Sequence, residues 1–177
     1  MKLIKRILVF LLVFVALLAV VGFLLPAPYH VERSTIVKAS PEKVFGIAAD
    51  LKTWDEWTAW NLVLDPTMKR TFSGPASGVG ASVSWDGKKV GHGDMKLTKV
   101  ISPTDLSYDL SFEHGKFKSV GVMKFELTND GTSVTWTDDG DMGVNPFYRW
   151  MGLGMDKFIG PDFEKGLAGL KALAERK

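Results

Sequence analysis

The chain opens on one unbroken apolar stretch and then changes period. Ile7 to Leu25 reads ILVFLLVFVALLAVVGFLL, 19 residues without a charge. At about 1.5 Å per residue, about 20 helical residues cross a bilayer core of about 30 Å, so this run predicts a membrane-spanning helix. Pro26 and Pro28 follow and should end it. The segment His30 to Ala39 contains Val31, Thr35, Ile36 and Val37 and reads as a first strand. Ser40-Pro41 then marks a helix start, with Ser as N-cap and Pro at the first helical position. Val44, Phe45, Ile47 and Ala48 give that helix an apolar stripe. Asp50 to Trp57 predicts a second short helical or turn segment, in which Trp54 and Trp57 share a face.

The middle of the chain is β-rich. Thr67 to Phe72 and Val79 to Trp85 read as strands, the second with Ala81, Val83 and Trp85 on one face. Asp86-Gly87 predicts a two-residue hairpin turn, after which Lys89 to Val100 returns. Beyond Ser102-Pro103-Thr104, Leu106, Tyr108, Leu110 and Phe112 alternate with polar residues, as on a one-sided strand. After the turn at His114-Gly115-Lys116, Phe117 to Thr128 sets Met123, Phe125 and Leu127 on one face. Asn129-Asp130-Gly131 leads into Thr132 to Asp138, with Val134 and Trp136 together.

Past Gly143 the spacing becomes three and four, through Phe147, Trp150, Met151, Met155, Phe158 and Ile159 to Phe163, Leu167, Leu170 and Leu173. One long amphipathic helix is predicted, bent or interrupted at Gly160-Pro161. The order is strand, two short helices, about six antiparallel strands and a long helix. It implies an α+β fold, a curved antiparallel sheet closed by its terminal helix. Residues 1–28 form a basic flank and anchor, and 29–177 one domain.

Charge sharpens the reading of the anchor. The chain has 22 basic and 20 acidic residues, a net charge of +2. Lys2, Lys5 and Arg6 precede the apolar run; without these three, 19 basic residues face 20 acidic ones. The surplus therefore belongs to the membrane flank, and the remainder shows no general attraction to nucleic acid. By the positive-inside rule the N-terminus stays cytoplasmic and the domain lies on the periplasmic or extracellular side. A cleaved signal peptide and a buried helix are the alternatives; the run is longer than a signal core of about 7–15 residues. The chain has no cysteine, which excludes disulfides, iron–sulfur clusters and a thiol nucleophile. No dinucleotide, Walker or nucleophile-elbow motif occurs, and no metal or other cofactor is expected.

Several segments resemble one superfamily. Arg33-Ser34, Ala39 to Phe45 and the tryptophans Trp54, Trp57 and Trp60 look like the opening of the SRPBCC, START-like or Bet v 1-like helix-grip group. Gly78 to Ala81 with Trp85, Gly91-His92-Gly93, Thr132 to Trp136 and Phe163 to Lys171 resemble later landmarks of its polyketide cyclase/dehydrase-like branch. The resemblance implies a helix-grip fold with a space between sheet and terminal helix. It implies little about activity, since that group includes lipid carriers, hydrophobic-ligand receptors and cyclases.

Candidate chemistry is mostly apolar. Trp57 and Trp60, then Trp85, Phe112, Met123 and Trp136 on the strands, and Trp150, Met151 and Met155 on the terminal helix are the expected cavity walls. Aromatic rings offer flat contact with an occasional N–H, and methionines adapt to irregular guests. The same residues would equally make a filled core. His92 lies inside a strand but is expected on its solvent side, opposite Met95; His114 sits in a turn and His30 beyond the anchor. Asp138, Asp139 and Asp141 read as a solvated strand exit or a polar rim, and Asp55 and Glu56 lie between tryptophans. No catalytic set emerges. The leading expectation is a membrane-tethered domain for a hydrophobic or lipid-like small molecule. An enzyme of cyclase, dehydrase or hydrolase type on the same cavity, and a structural module with a filled core, are the alternatives.

Overall fold

The structure, a computed structural model, describes residues 2–176. The apolar run forms helix α1, Lys2–Leu24, whose single buried residue is Gly22. Strand β1, Pro28–Val37, follows at once. Helix α2, Pro41–Ala49, starts as its sequence requires, with Ser40 Oγ accepting from the Lys43 N–H at 3.4 Å and Pro41 in the first turn. A single turn, Leu51–Thr53, leads into the short helix α3, Trp54–Trp57. Strands β2 (Lys69–Ser73), β3 (Ser82–Gly87), β4 (Gly91–Ile101), β5 (Asp105–Phe112), β6 (Phe117–Thr128) and β7 (Gly131–Asp141) come next. The chain closes with α4, Pro146–Gly152, and α5, Met155–Ala174.

All seven strands make one antiparallel sheet in the order β1-β7-β6-β5-β4-β3-β2. Sequential hairpins build β2 to β7, and β1 is added beside β7 as the outer neighbour. The inner face carries Val31, Leu97, Leu106, Met123, Phe125, Val134 and Trp136, all nearly inaccessible. Helix α5 covers it with Phe163, Leu167 and Leu170. This is the expected α+β arrangement of an antiparallel sheet against a long C-terminal helix. Arg33 of β1 locks the two layers together, donating to Asp156 at 2.6 Å and Glu164 at 2.7 Å on α5. Gly160 leaves room for the Arg33 guanidinium against the helix.

Three local expectations are corrected. Asp86-Gly87 is not the tip of its hairpin: both residues stay paired, with His92 and Gly91, and the loop is Lys88–Val90. The buried Asp65 decides this by accepting the N–H groups of Lys89 at 2.6 Å and Val90 at 3.1 Å. The terminal helix breaks at Leu153-Gly154 rather than at Gly160-Pro161. Two glycines flank Leu153, and glycine is the poorest ordinary helix former. Pro161 is retained within α5, where it gives up one backbone hydrogen bond. Leu127 lies beyond the helical cover and is 76% exposed, although Met123 and Phe125 on its face are buried.

Candidate functional site

Alternation along β3, β4 and β5 turns Val83, Trp85, Met95, Tyr108, Leu110 and Phe112 inward. The helical cover does not fill the space above them. A cavity of about 510 Å³ remains between this part of the sheet, the α3 region and the α4–α5 junction. It falls within the range of about 300–1,000 Å³ usual for small-molecule sites. Five methionines border it: Met68, Met95, Met142, Met151 and Met155. Trp85 and Phe112 meet edge to face at 5.6 Å on its wall. Gly93 makes room for Trp85, since a Cβ there would lie 2.1 Å from the indole ring.

Of the residues expected as walls, Trp60, Trp85, Phe112, Met151 and Met155 border the cavity. Trp57, Met123 and Trp136 do not: they lie in the solid core beside it, each at most 2% exposed. Trp136 stacks on Phe163 at 4.1 Å and 15°, and Trp57 approaches it at 5.4 Å. Trp136 thus packs against α5, not against the α4 residues Trp150 and Met151. Trp150 points away from the cavity and donates its indole N–H to the Leu18 carbonyl of α1 at 3.0 Å. The reason is the break after Gly152, which frees α4 from the direction of α5 and lays it against α1.

Two polar clusters stand on the cavity wall toward opposite sides of the sheet, Arg70 on β2 and Asp138 on β7. At one, Arg70 pairs with Asp55 at 2.9 Å and donates to the Trp60 carbonyl at 2.8 Å. Burial pulls the Arg70 guanidinium below its ordinary value, and Asp55 partly offsets this. At the other stands Asp138, only 3% exposed. Its Oδ2 accepts the Tyr29 hydroxyl at 3.0 Å, while Oδ1 has no partner. Ser119, beside it, is near enough to favour the charged carboxylate, but its Oγ also makes no hydrogen bond of good geometry. Burial dominates and raises the Asp138 pKa. Burial, and then the nearby Asp138 charge, also raise the tyrosine hydroxyls of Tyr29 and Tyr108. Tyr108 Oη accepts the Trp136 N–H at 2.7 Å.

Asp138 is the polar residue that the sequence pattern assigns elsewhere, and Tyr29 is one that it does not single out. Asp138 was expected in a solvated exit or a rim, yet β7 continues to Asp141 and keeps it on the inner face. The signal was present: Val134, Trp136 and Asp138 follow one another at intervals of two. Asp139, on the opposite face, pairs with His30 at 2.7 Å, and this hydrogen bond raises the His30 pKa. His92 lies on the outer face and stacks on His114 at 4.2 Å, away from the cavity. Among the described residues no group of three His, Asp or Glu side chains is disposed to hold a metal ion.

Comparison with known proteins agrees with this geometry. The family model described as "Polyketide cyclase / dehydrase and lipid transport" matches residues 28–175. A solved protein of Mesorhizobium loti is 20% identical, covering 81% of this chain and 97% of its own, with a TM-score of 0.58. One from Chromobacterium violaceum is 13% identical, covering 84% and 98%, also at 0.58. The di-domain ARO/CYC StfQ from the steffimycin biosynthetic pathway is 12% identical at a TM-score of 0.62. The match there covers 84% of this chain and 51% of that one. At such identities the likeness is one of fold. No curated protein sequence matches the chain.

Proposed function

For a chain that belongs to the polyketide cyclase/dehydrase and lipid transport family, we propose the role of a membrane-tethered binding domain for a hydrophobic or lipid-like small molecule. The observation that carries this reading is the cavity of about 510 Å³ walled by methionine and aromatic side chains. Such walls exclude water and adapt to an apolar guest, while two separated polar clusters orient it. Helix α1 is long and apolar enough to cross a bilayer. Lys2, Lys5 and Arg6 favour a cytoplasmic N-terminus, which would put residues 29–177 on the periplasmic or extracellular side.

The test is binding of an apolar fluorescent probe to the full chain in lipid nanodiscs. Energy transfer from tryptophan reports occupancy, because Trp54, Trp60 and Trp85 surround the space. Met155→Trp should fill it and abolish transfer while thermal unfolding remains cooperative. Unchanged probe affinity in that folded variant would overturn the cavity as binding site.

A second reading is acid–base catalysis on the same guest. It is supported by the free oxygen of Asp138 and the neighbouring Tyr29 hydroxyl. A carboxyl with a raised pKa suits proton transfer near neutrality. Loss of turnover but not of binding in Asp138→Asn would favour this reading over simple carriage.

A further inference from the structure

Helix α4 does not serve the core. None of its residues is buried, and Phe147, Trp150 and Met151 are 46%, 38% and 50% exposed. Val144 before it, Leu153 after it and Phe158 in α5 extend this apolar surface. The side of α4 that is occupied lies along α1. Gly22 meets Pro146 so closely that a Cβ would stand 2.5 Å from the Pro146 carbonyl oxygen. Arg149 donates to the carbonyls of Phe23 at 3.0 Å and Leu25 at 3.2 Å, capping the C-terminal end of α1. The next residue, Trp150, donates its indole N–H to the Leu18 carbonyl, five residues before Phe23.

These contacts set a depth. Leu18 lies seven residues inside the end of the apolar run at Leu25, about 10 Å along a helix. A bilayer that takes up the run in a core of about 30 Å therefore also surrounds Trp150. The chain then continues past Trp150 to the elbow at Leu153-Gly154 before α5 returns to the sheet. Several polar groups that would be costly in lipid have partners. The Trp150 N–H is bonded, the Arg149 guanidinium donates to three carbonyls including Gly143, and Asp156 is turned onto Arg33. Lys157 is exposed on a long stem that can reach the headgroups. Met151 belongs at once to this surface and to the cavity wall.

We propose that the α4–α5 elbow is immersed in the lipid leaflet around the C-terminal third of α1, and that the cavity opens beside Met151 onto that leaflet. The partner of this surface is the bilayer itself, and the guest enters from dissolved lipid rather than from water. The proposal rests on the reading of α1 as a membrane span.

The chain has no native thiol, so single cysteines can carry a nitroxide label. Phe147→Cys, Leu153→Cys and Phe158→Cys report the elbow, Leu12→Cys the centre of α1, and Leu127→Cys the far end of the sheet. Each full-length labelled variant is reconstituted in phosphatidylcholine–phosphatidylglycerol vesicles. Its collision with lipid-soluble oxygen is then compared with its collision with a water-soluble nickel chelate. The elbow labels should resemble the Leu12 label, favouring oxygen, and the Leu127 label should favour the chelate. A lipid-exposed Leu12 label with elbow labels open to the chelate overturns the immersion and leaves the tether standing. A Leu12 label open to the chelate overturns both.

Discussion

Truncating Trp136 probes the join between sheet and helix most directly. The side chain is completely buried, stacked on Phe163 and hydrogen-bonded through its N–H to Tyr108. Trp54 meets it edge to face at 5.9 Å and Trp60 at 6.3 Å. Trp136→Ala should cost about 3–5 kcal/mol, the range for large aromatic truncations in a packed core. Trp136→Phe keeps most of the apolar volume but leaves the buried Tyr108 hydroxyl without its donor, a loss of about 1–3 kcal/mol. For a domain of this size each kcal/mol lowers the melting temperature by about 2–4 °C. The Ala variant should therefore melt about 6–20 °C below wild type, with the Phe variant between them. The assay is thermal unfolding of the full chain in detergent, followed by circular dichroism of the sheet. Trp150→Ala is the control: its ring lies on α1, outside the core, and should leave that transition near its original temperature. A Trp136→Ala melt within about 2 °C of wild type would mean that the aromatic stack does not hold the helix to the sheet.

Asp138 and Asp65 should respond to pH in opposite senses. Burial raises the Asp138 pKa in the folded chain, so its ionisation opposes folding. That penalty is absent below about pH 4 and grows as pH rises through the folded value. Asp138→Asn should thus stabilise the protein near neutrality, with the gain vanishing in acid; urea midpoints across pH would expose a constant difference instead. Asp65 is held below the ordinary carboxylate range by the Thr67 hydroxyl first, and also by the N–H groups of Lys89, Val90 and Thr67. Its contribution is present above about pH 4 and lost as pH falls toward the depressed folded value. Asp65→Asn should weaken that acid dependence and speed hydrogen exchange at the Lys89 and Val90 amides; unchanged exchange there would remove Asp65 from control of the hairpin. Gly166→Val should destabilise by about 1–3 kcal/mol through overpacking, because even a Cβ would lie 2.8 Å from the Trp136 ring. A neutral effect in the same melts would show that α5 can move away from the sheet freely.

Local pattern was enough wherever one element answers to its own periodicity. The uncharged run of α1, the Ser40-Pro41 start of α2 and the alternation through Leu106, Tyr108 and Phe112 each state their element within a few residues. They also separate inner from outer faces, which is why His92 falls outside and Trp85 inside. Periodicity says which side of an element is apolar, but not what that side meets. Asp65 moves a hairpin tip 24 residues away by accepting its N–H groups. Asp138 becomes an interior carboxyl because β7 runs on past it, and the hydroxyl of Tyr29, 109 residues earlier and opposite Gly140 on β1, reaches it diagonally. Trp136 and Trp150 are both large apolar residues at well-patterned positions. One becomes solid core and the other turns to α1, because the elbow at Leu153-Gly154 points α4 away from α5. The cavity is the gap left when the helical cover and the sheet face do not match in volume. No single segment encodes such a difference; it exists only after both surfaces are in place.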